Sequence, residues 1–286
     1  MYRIIPLLLM LVVLTACGAK PETVMEVLEV PAFALPETAE AEPISAEAAV
    51  TEGRAPAEDY DLPLPREFSP ENSRMPYDID GWLRGGTIGL LAEAPEAGAA
   101  FYGLPYSENA HETALIRWGD SLAEFDWDFL TPRRFLPRMA VMDLDGDGKD
   151  ELIVLTYVGS GTGVSIYDLH VLEKNPAGTL TDYAMPGSLW QERLPPLLRF
   201  VQTDGRNFLI LGRELLEIDM EHVLEGQMEP SAGWIANFRL LPEEHAIQLL
   251  GAVDLWKTTN YVADYTANVG YRDGVFTLSQ FHLQSF

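Results

Sequence analysis

The sequence predicts a mainly β fold: antiparallel hairpins gathered in one compact domain with few helices. Three observations carry this expectation. Short runs rich in Val, Ile, Leu, Tyr and Phe recur through the second half of the chain. Asp-Gly pairs or glycine-rich loops separate them, as tight turns between strands require. Within these runs the span 242–256 offers a helix start, and it also fits a strand.

Taken in order, "ELIVLTYV" (151–158) and "GVSIYDLHVLE" (163–173) flank "GSGTG", a hairpin with a glycine loop. "LLRFVQ" (197–202) and "NFLILGR" (207–213) flank Asp204-Gly205, and "ELLEIDM" and "GWIANFRLL" add strands. In "PEEHAIQLLGAVDLW" (242–256), Pro followed by two Glu suits a helix N-terminus. The surrounding strands favour a turn at Pro242–His245 followed by a strand. "YTANVGY" (265–271) and "VFTLSQFHL" (275–283) flank Asp273-Gly274. Glycine tolerates the positive φ that these two-residue turns demand.

The N-terminal part reads differently. Arg3 precedes an apolar run from Ile4 to Leu14, shorter than the roughly 20 residues a membrane-spanning helix needs. It is therefore expected to be an export signal, residues 1–17. Its end, Leu14-Thr15-Ala16-Cys17, resembles the bacterial lipoprotein lipobox, which implies diacylation of Cys17 and anchoring to the outer face of a bacterial membrane. Cys17 is the single cysteine of the chain, so no internal disulfide can form. Residues 18–75 hold 13 Asp/Glu against four Lys/Arg, a charge of −9, and are dominated by Pro, Ala and Glu. Such a segment buries too little apolar surface to offset its ordering entropy. It is expected to be a disordered tether. All six tryptophans lie beyond it, in a β-rich domain over 76–286 with 14 basic and 31 acidic residues, net −17. That balance argues against a nucleic-acid partner, which needs clustered Lys/Arg.

The stretch "MDLDGDGKDEL" (142–152) crowds acidic side chains that would repel one another without a cation. Counting from Asp143, carboxylates fall at positions 1 (Asp143), 3 (Asp145), 5 (Asp147) and 9 (Glu151); Gly148 is at position 6, and Lys149 at 7 offers its backbone carbonyl. This is the EF-hand layout as far as its ninth position. Hard oxygens suit calcium; zinc would call for His or Cys. The twelfth position is Val154 and no helical pattern flanks the loop, so the loop is EF-like without being an EF-hand.

"DLDGDGKDELIVL" resembles the FG-GAP and VCBS-type repeats, whose Asp-x-Asp-x-Asp-Gly-x-x-Asp/Glu-Leu loop binds calcium and leads into a strand. With "FDWDFLTPRRFLPRMAV" before it and "TYVGSGTGVSIYDLHVLE" after it, the stretch is also similar to secreted lipoproteins of Firmicutes. The resemblance implies one calcium ion with a structural role. Family members carry several such loops as propeller blades. This chain has one, since "TDGRN" and "YRDGV" lack the carboxylate ladder.

Other candidates are weaker. "GSGTG" is followed by a strand pattern, whereas phosphate loops need a helix N-terminus. The histidines His111, His170, His222, His245 and His282 are scattered. "HVLE" occurs at 170–173 and 222–225, but residues i and i+3 of a strand face opposite ways. Asp126 and Asp128 around Trp127 could be an acid pair for glycan cleavage. Trp118, Trp127, Trp190 and Trp234 could form a sugar-stacking platform, although aromatics in a β domain are usually core. The expectation is a lipid-anchored, extracytoplasmic calcium-binding module without catalytic activity, binding a surface protein or glycan. The alternative is a cell-surface hydrolase acting on glycan with a structural calcium.

Overall fold

Residues 41–56, 89–103, 113–130, 135–218, 229–255 and 261–285 are described by a computed structural model. The chain divides into two units, Met1–Leu35 and Pro36–Phe286, and every described residue belongs to the second. Cys17, the export segment, Trp82, His111, His222 and Trp256 lie outside the described residues.

Strands dominate, as expected. In chain order they are β1 (Ile44–Glu47), β2 (Ala49–Glu52), β3 (Gly89–Ala94), β4 (Ala99–Gly103), β5 (Thr113–Trp118), β6 (Ser121–Asp126) and β7 (Arg138–Met142). There follow β8 (Glu151–Gly161), β9 (Val164–Lys174), β10 (Leu180–Ala184) and the short helix α1 (Ser188–Gln191). The remainder are β11 (Leu198–Thr203), β12 (Arg206–Leu211), β13 (Glu214–Ile218), β14 (Ser231–Leu241), β15 (Ala246–Asp254), β16 (Tyr261–Arg272) and β17 (Val275–Gln284). The strands β3 to β6 form a four-stranded meander and β11 to β13 a three-stranded one. The other ten form one large sheet, antiparallel except for a short β9–β14 contact.

The hairpins follow the turn chemistry of the sequence. Asp204-Gly205 joins β11 to β12 and Asp273-Gly274 joins β16 to β17, with φ of 50° and 72°, then 51° and 76°. Positive φ at both central residues gives a turn whose twist matches that of the flanking strands. The ambiguous span resolves as a 3-10 turn over Pro242–Glu244, His245 in the left-handed region, and then β15.

The strand β8 lies between two cores. Leu152 and Val154 face Phe101, Ile116 and Phe125 of the small sheet, while Ile153 and Leu155 face Phe238, Leu249 and Phe276 of the large one. A strand covered on both faces needs apolar residues at every position. This explains the unbroken "LIVL" after the acidic loop.

The expected disordered tether is corrected in part. Residues 44–47 pair with β17 and 49–52 pair with β10. Ile44 and Ala46 rest against the main core, while β2 is exposed throughout and held by backbone pairing. The segment is too polar to order by itself, but two sheet edges satisfy its N–H and C=O groups. Since Ala48 alone separates β1 from β2, one run of chain joins the two ends of the large sheet and closes it into a ring. Ala48 N–H donates to the Gly274 carbonyl at 2.8 Å, fixing the corner.

Candidate functional site

The acidic loop is the connection of the β7–β8 hairpin. Met142 and Glu151 are paired across its base, so the ladder fixes where the loop leaves and returns. Within it, Asp143 accepts the N–H groups of Gly146 (2.8 Å) and Gly148 (3.1 Å). Asp145 accepts Asp147 N–H at 2.9 Å, and Asp147 accepts Lys149 N–H at 2.8 Å. These side chain-to-backbone bonds two to five residues on are how short acidic residues shape a turn. Gly146 and Gly148 sit at φ 77° and 86°, in the region that glycine enters without a Cβ penalty. The loop is thus shaped by its own hydrogen bonds.

Three of the carboxylates converge. Oxygens of Asp143, Asp145 and Glu151 lie within 4.8 Å of one another. Ligands around a calcium ion at about 2.4 Å are at most about 4.8 Å apart, so these three atoms fit one coordination sphere. A cluster of hard oxygens could hold a metal ion, and its geometry does not choose among hard divalent cations. Glu151 is the buried member, and its Oε2 accepts Leu144 N–H at 2.8 Å. Burial pushes its carboxyl up to about 7, helped by the charges of Asp145, Asp147 and Glu173 and opposed by the Leu144 bond. Without a cation the site is electrostatically costly.

Of the residues expected to bind metal, the structure brings Asp143, Asp145 and Glu151 together and places Asp147 apart. The Asp147 carboxylate is 2.5 Å from Lys149 Nζ, and the Lys149 ammonium, through this bond, holds it below the usual carboxylate range. Val154, in the twelfth place, is core. Two residues from other strands act on the loop. Arg272 donates from Nη2 to the Asp145 carbonyl at 3.1 Å, and Glu173, whose charge acts on Glu151, accepts the Tyr271 hydroxyl at 2.6 Å. Arg272 comes from β16, far along the chain, so no local pattern could have signalled it; Glu173 ends the "HVLE" run of β9, whose spacing does not point to the loop.

The weaker candidates separate clearly. Trp118, Trp127 and Trp190 are buried and only Trp234 is exposed, which removes the four-tryptophan platform. Asp126 is closed into a bidentate pair with Arg54, at 2.7 and 2.6 Å. His170 and Glu173 face opposite cores: His170 stacks on Trp127 at 3.9 Å, and Glu173 bonds Tyr271 on the other side. His170 also links Thr156 (3.5 Å) to Asp182 (2.9 Å), which accepts Trp127 Nε1–H at 2.8 Å. That hydroxyl–imidazole–carboxylate order is the order of a nucleophilic triad. Thr156 is wholly buried, so the array is a polar brace inside the core. "GSGTG" forms the β8–β9 turn, with Gly163 carbonyl bonded by the Tyr261 hydroxyl, and a strand follows it.

Compared with protein-family models, curated proteins and solved structures, the chain finds no match. Among the described residues, no helix is long and apolar enough to cross a membrane.

Proposed function

We propose that the protein is a lipid-anchored, extracytoplasmic calcium-binding module without catalytic activity, held to the membrane through Cys17 and binding a glycan or protein partner at the cell surface. The observation that carries the calcium reading is the convergent Asp143–Asp145–Glu151 triad on a loop already shaped by its own hydrogen bonds. The FG-GAP-like spacing of the same residues supports it, and the lipobox-like end of the export segment supports the address. Asp143, Asp145 and Glu151 would hold the ion, with Asp147 exchanging Lys149 for it or staying paired. A bound ion supplies the positive charge that offsets crowded carboxylates and pins the β7–β8 hairpin. The ion is structural in this reading. The glycan-hydrolase alternative is less favoured, because Asp126 is tied to Arg54 and the Thr156–His170–Asp182 array has no access to a substrate.

Calcium at a hundredfold excess over Kd should stabilise the protein by about 2.7 kcal/mol. Differential scanning fluorimetry with calcium, magnesium and chelator should show the melting temperature rising with calcium and falling back with chelator. Asp145→Asn should remove most of the rise. Superimposable curves in all three conditions would sink the proposal.

A further inference from the structure

A groove of about 1100 Å3 lies where β3 of the small sheet meets β7, β9 and β14 of the large one. No residue of the acidic loop lines it. In a chain with 44 Asp/Glu against 19 Lys/Arg, a surface concavity would by default be lined by carboxylates. This one carries two guanidiniums, Arg138 and Arg239, and one carboxylate, Glu93. Both arginines are exposed. Arg138 lies over the Tyr167 ring at 4.9 Å, and Arg239 Nη1 donates to the neutral Gln248 Oε1 at 3.3 Å. Among the described residues neither has a carboxylate within ion-pair distance, whereas Arg54 and Arg206 each have one. Two unpaired cations on concave walls concentrate positive potential where the rest of the molecule repels anions.

The neutral surroundings narrow the ligand. Phe135, 43% exposed, stands on the groove wall against Tyr157, ring centres 5.0 Å apart, and Tyr157 meets Tyr167 at 4.9 Å. That gives a stiff aromatic face. The Ser165 hydroxyl donates to Asn237 Oδ1 at 3.1 Å, which leaves the Asn237 Nδ2 donors uncommitted among the described residues. Apart from Glu93, the groups the groove offers are mainly donors and an aromatic plane. Guanidinium forks match carboxylates, and flat C–H faces stack on aromatics. We propose that this groove binds an acidic saccharide, with uronate-type carboxylates on Arg138 and Arg239, a sugar face against Phe135 and hydroxyls on Asn237. The proposal deepens the reading as a surface binding module and rests on it. An Asp-rich peptide offers the carboxylates but not the flat C–H sugar face that would stack on Phe135.

The test is isothermal titration calorimetry on the full chain with trigalacturonate, its methyl ester and an Asp-rich tripeptide, in calcium-free buffer because uronates chelate calcium. Trigalacturonate should bind, and the ester should bind at least about tenfold more weakly, as expected for losing charge-assisted hydrogen bonds. Arg138→Gln and Arg239→Gln should each weaken binding by about tenfold at unchanged melting temperature. Glu93→Gln should tighten it by removing like charge. No binding of trigalacturonate, equal binding of the ester, tighter binding of the peptide, or arginine variants indistinguishable from the parent would each overturn the proposal. The calcium melting curve separates the two readings: a retained calcium shift with no uronate binding sinks this proposal alone, and uronate binding without a calcium shift sinks the calcium proposal alone.

Discussion

Two residues show how single groups set the energetics. Glu151 is buried beside three other carboxylates, and its carboxyl is raised from 4.5 to about 7. An acid raised in the fold binds its proton more tightly there than in the unfolded chain. Its contribution to stability is then complete below about 4.5 and is lost as pH rises through about 7. Metal-free protein should therefore melt at lower temperature as pH increases across that window, while calcium affinity should rise over the same range because the ion needs the ionised form. Glu151→Gln keeps an oxygen for Leu144 N–H and removes the charge. It should flatten that pH dependence and weaken calcium binding by at least about tenfold, for loss of one charged ligand. A calcium titration whose midpoint ignores pH between 5 and 8 would contradict the assignment. Tyr265 is the second case. Its ring is fully buried, and its hydroxyl has no hydrogen-bond partner among the described residues. Removing a buried unsatisfied group of this kind is neutral or favourable, so Tyr265→Phe should raise stability by about 1 kcal/mol in urea unfolding.

At the scale of elements, the same tyrosine explains a glycine. Gly251 of β15 pairs with Tyr265 of β16, and a Cβ on Gly251 would lie 2.3 Å from the Tyr265 ring. The ring is enclosed by core and has nowhere to move, so Gly251→Ala should cost about 1–3 kcal/mol. In a Tyr265→Leu background the penalty should shrink, and a double-mutant cycle measures the coupling. Which elements could be read from sequence follows from the same local physics. The β11–β12 and β16–β17 hairpins were legible because Asp-Gly encodes the turn by itself. The acidic loop was legible because its spacing lies within nine residues. The small sheet was not. In β4, "AAFYG", every residue is buried, so the polar–apolar alternation that marks a strand is missing. Nor could spacing reveal that Asp147 turns to Lys149, since position 5 of a ligand ladder and a local ion pair look alike in sequence. The groove arginines, from strands about a hundred residues apart, carry no joint signal.

The whole molecule depends on a segment that composition alone assigns to disorder. The run 44–52 pairs with residues 275–278 of β17 and 181–184 of β10, covering part of each strand's edge. Unpaired edges invite pairing with other chains, so the segment should guard these stretches against association and add stability. Its corner is also tied to the candidate metal loop. Ala48 bonds Gly274 in the turn where Arg272, two residues earlier, holds the Asp145 carbonyl. An ion that fixes the loop should then also steady the turn against which the ring closes. Ala46→Pro tests this within the full chain, because proline removes an N–H from β1 and locks φ. The expected loss is about 1–2 kcal/mol, for one ladder hydrogen bond, enough to lower the melting temperature by about 2–8 °C in a domain of this size. Light scattering should show association at concentrations where the parent is monodisperse, and the calcium-dependent rise in melting temperature should be smaller than in the parent. A variant that melts with the parent and stays monodisperse would show that the ring does not need its covalent closure, and that the order of residues 44–52 is a consequence of the fold with no share in its stability.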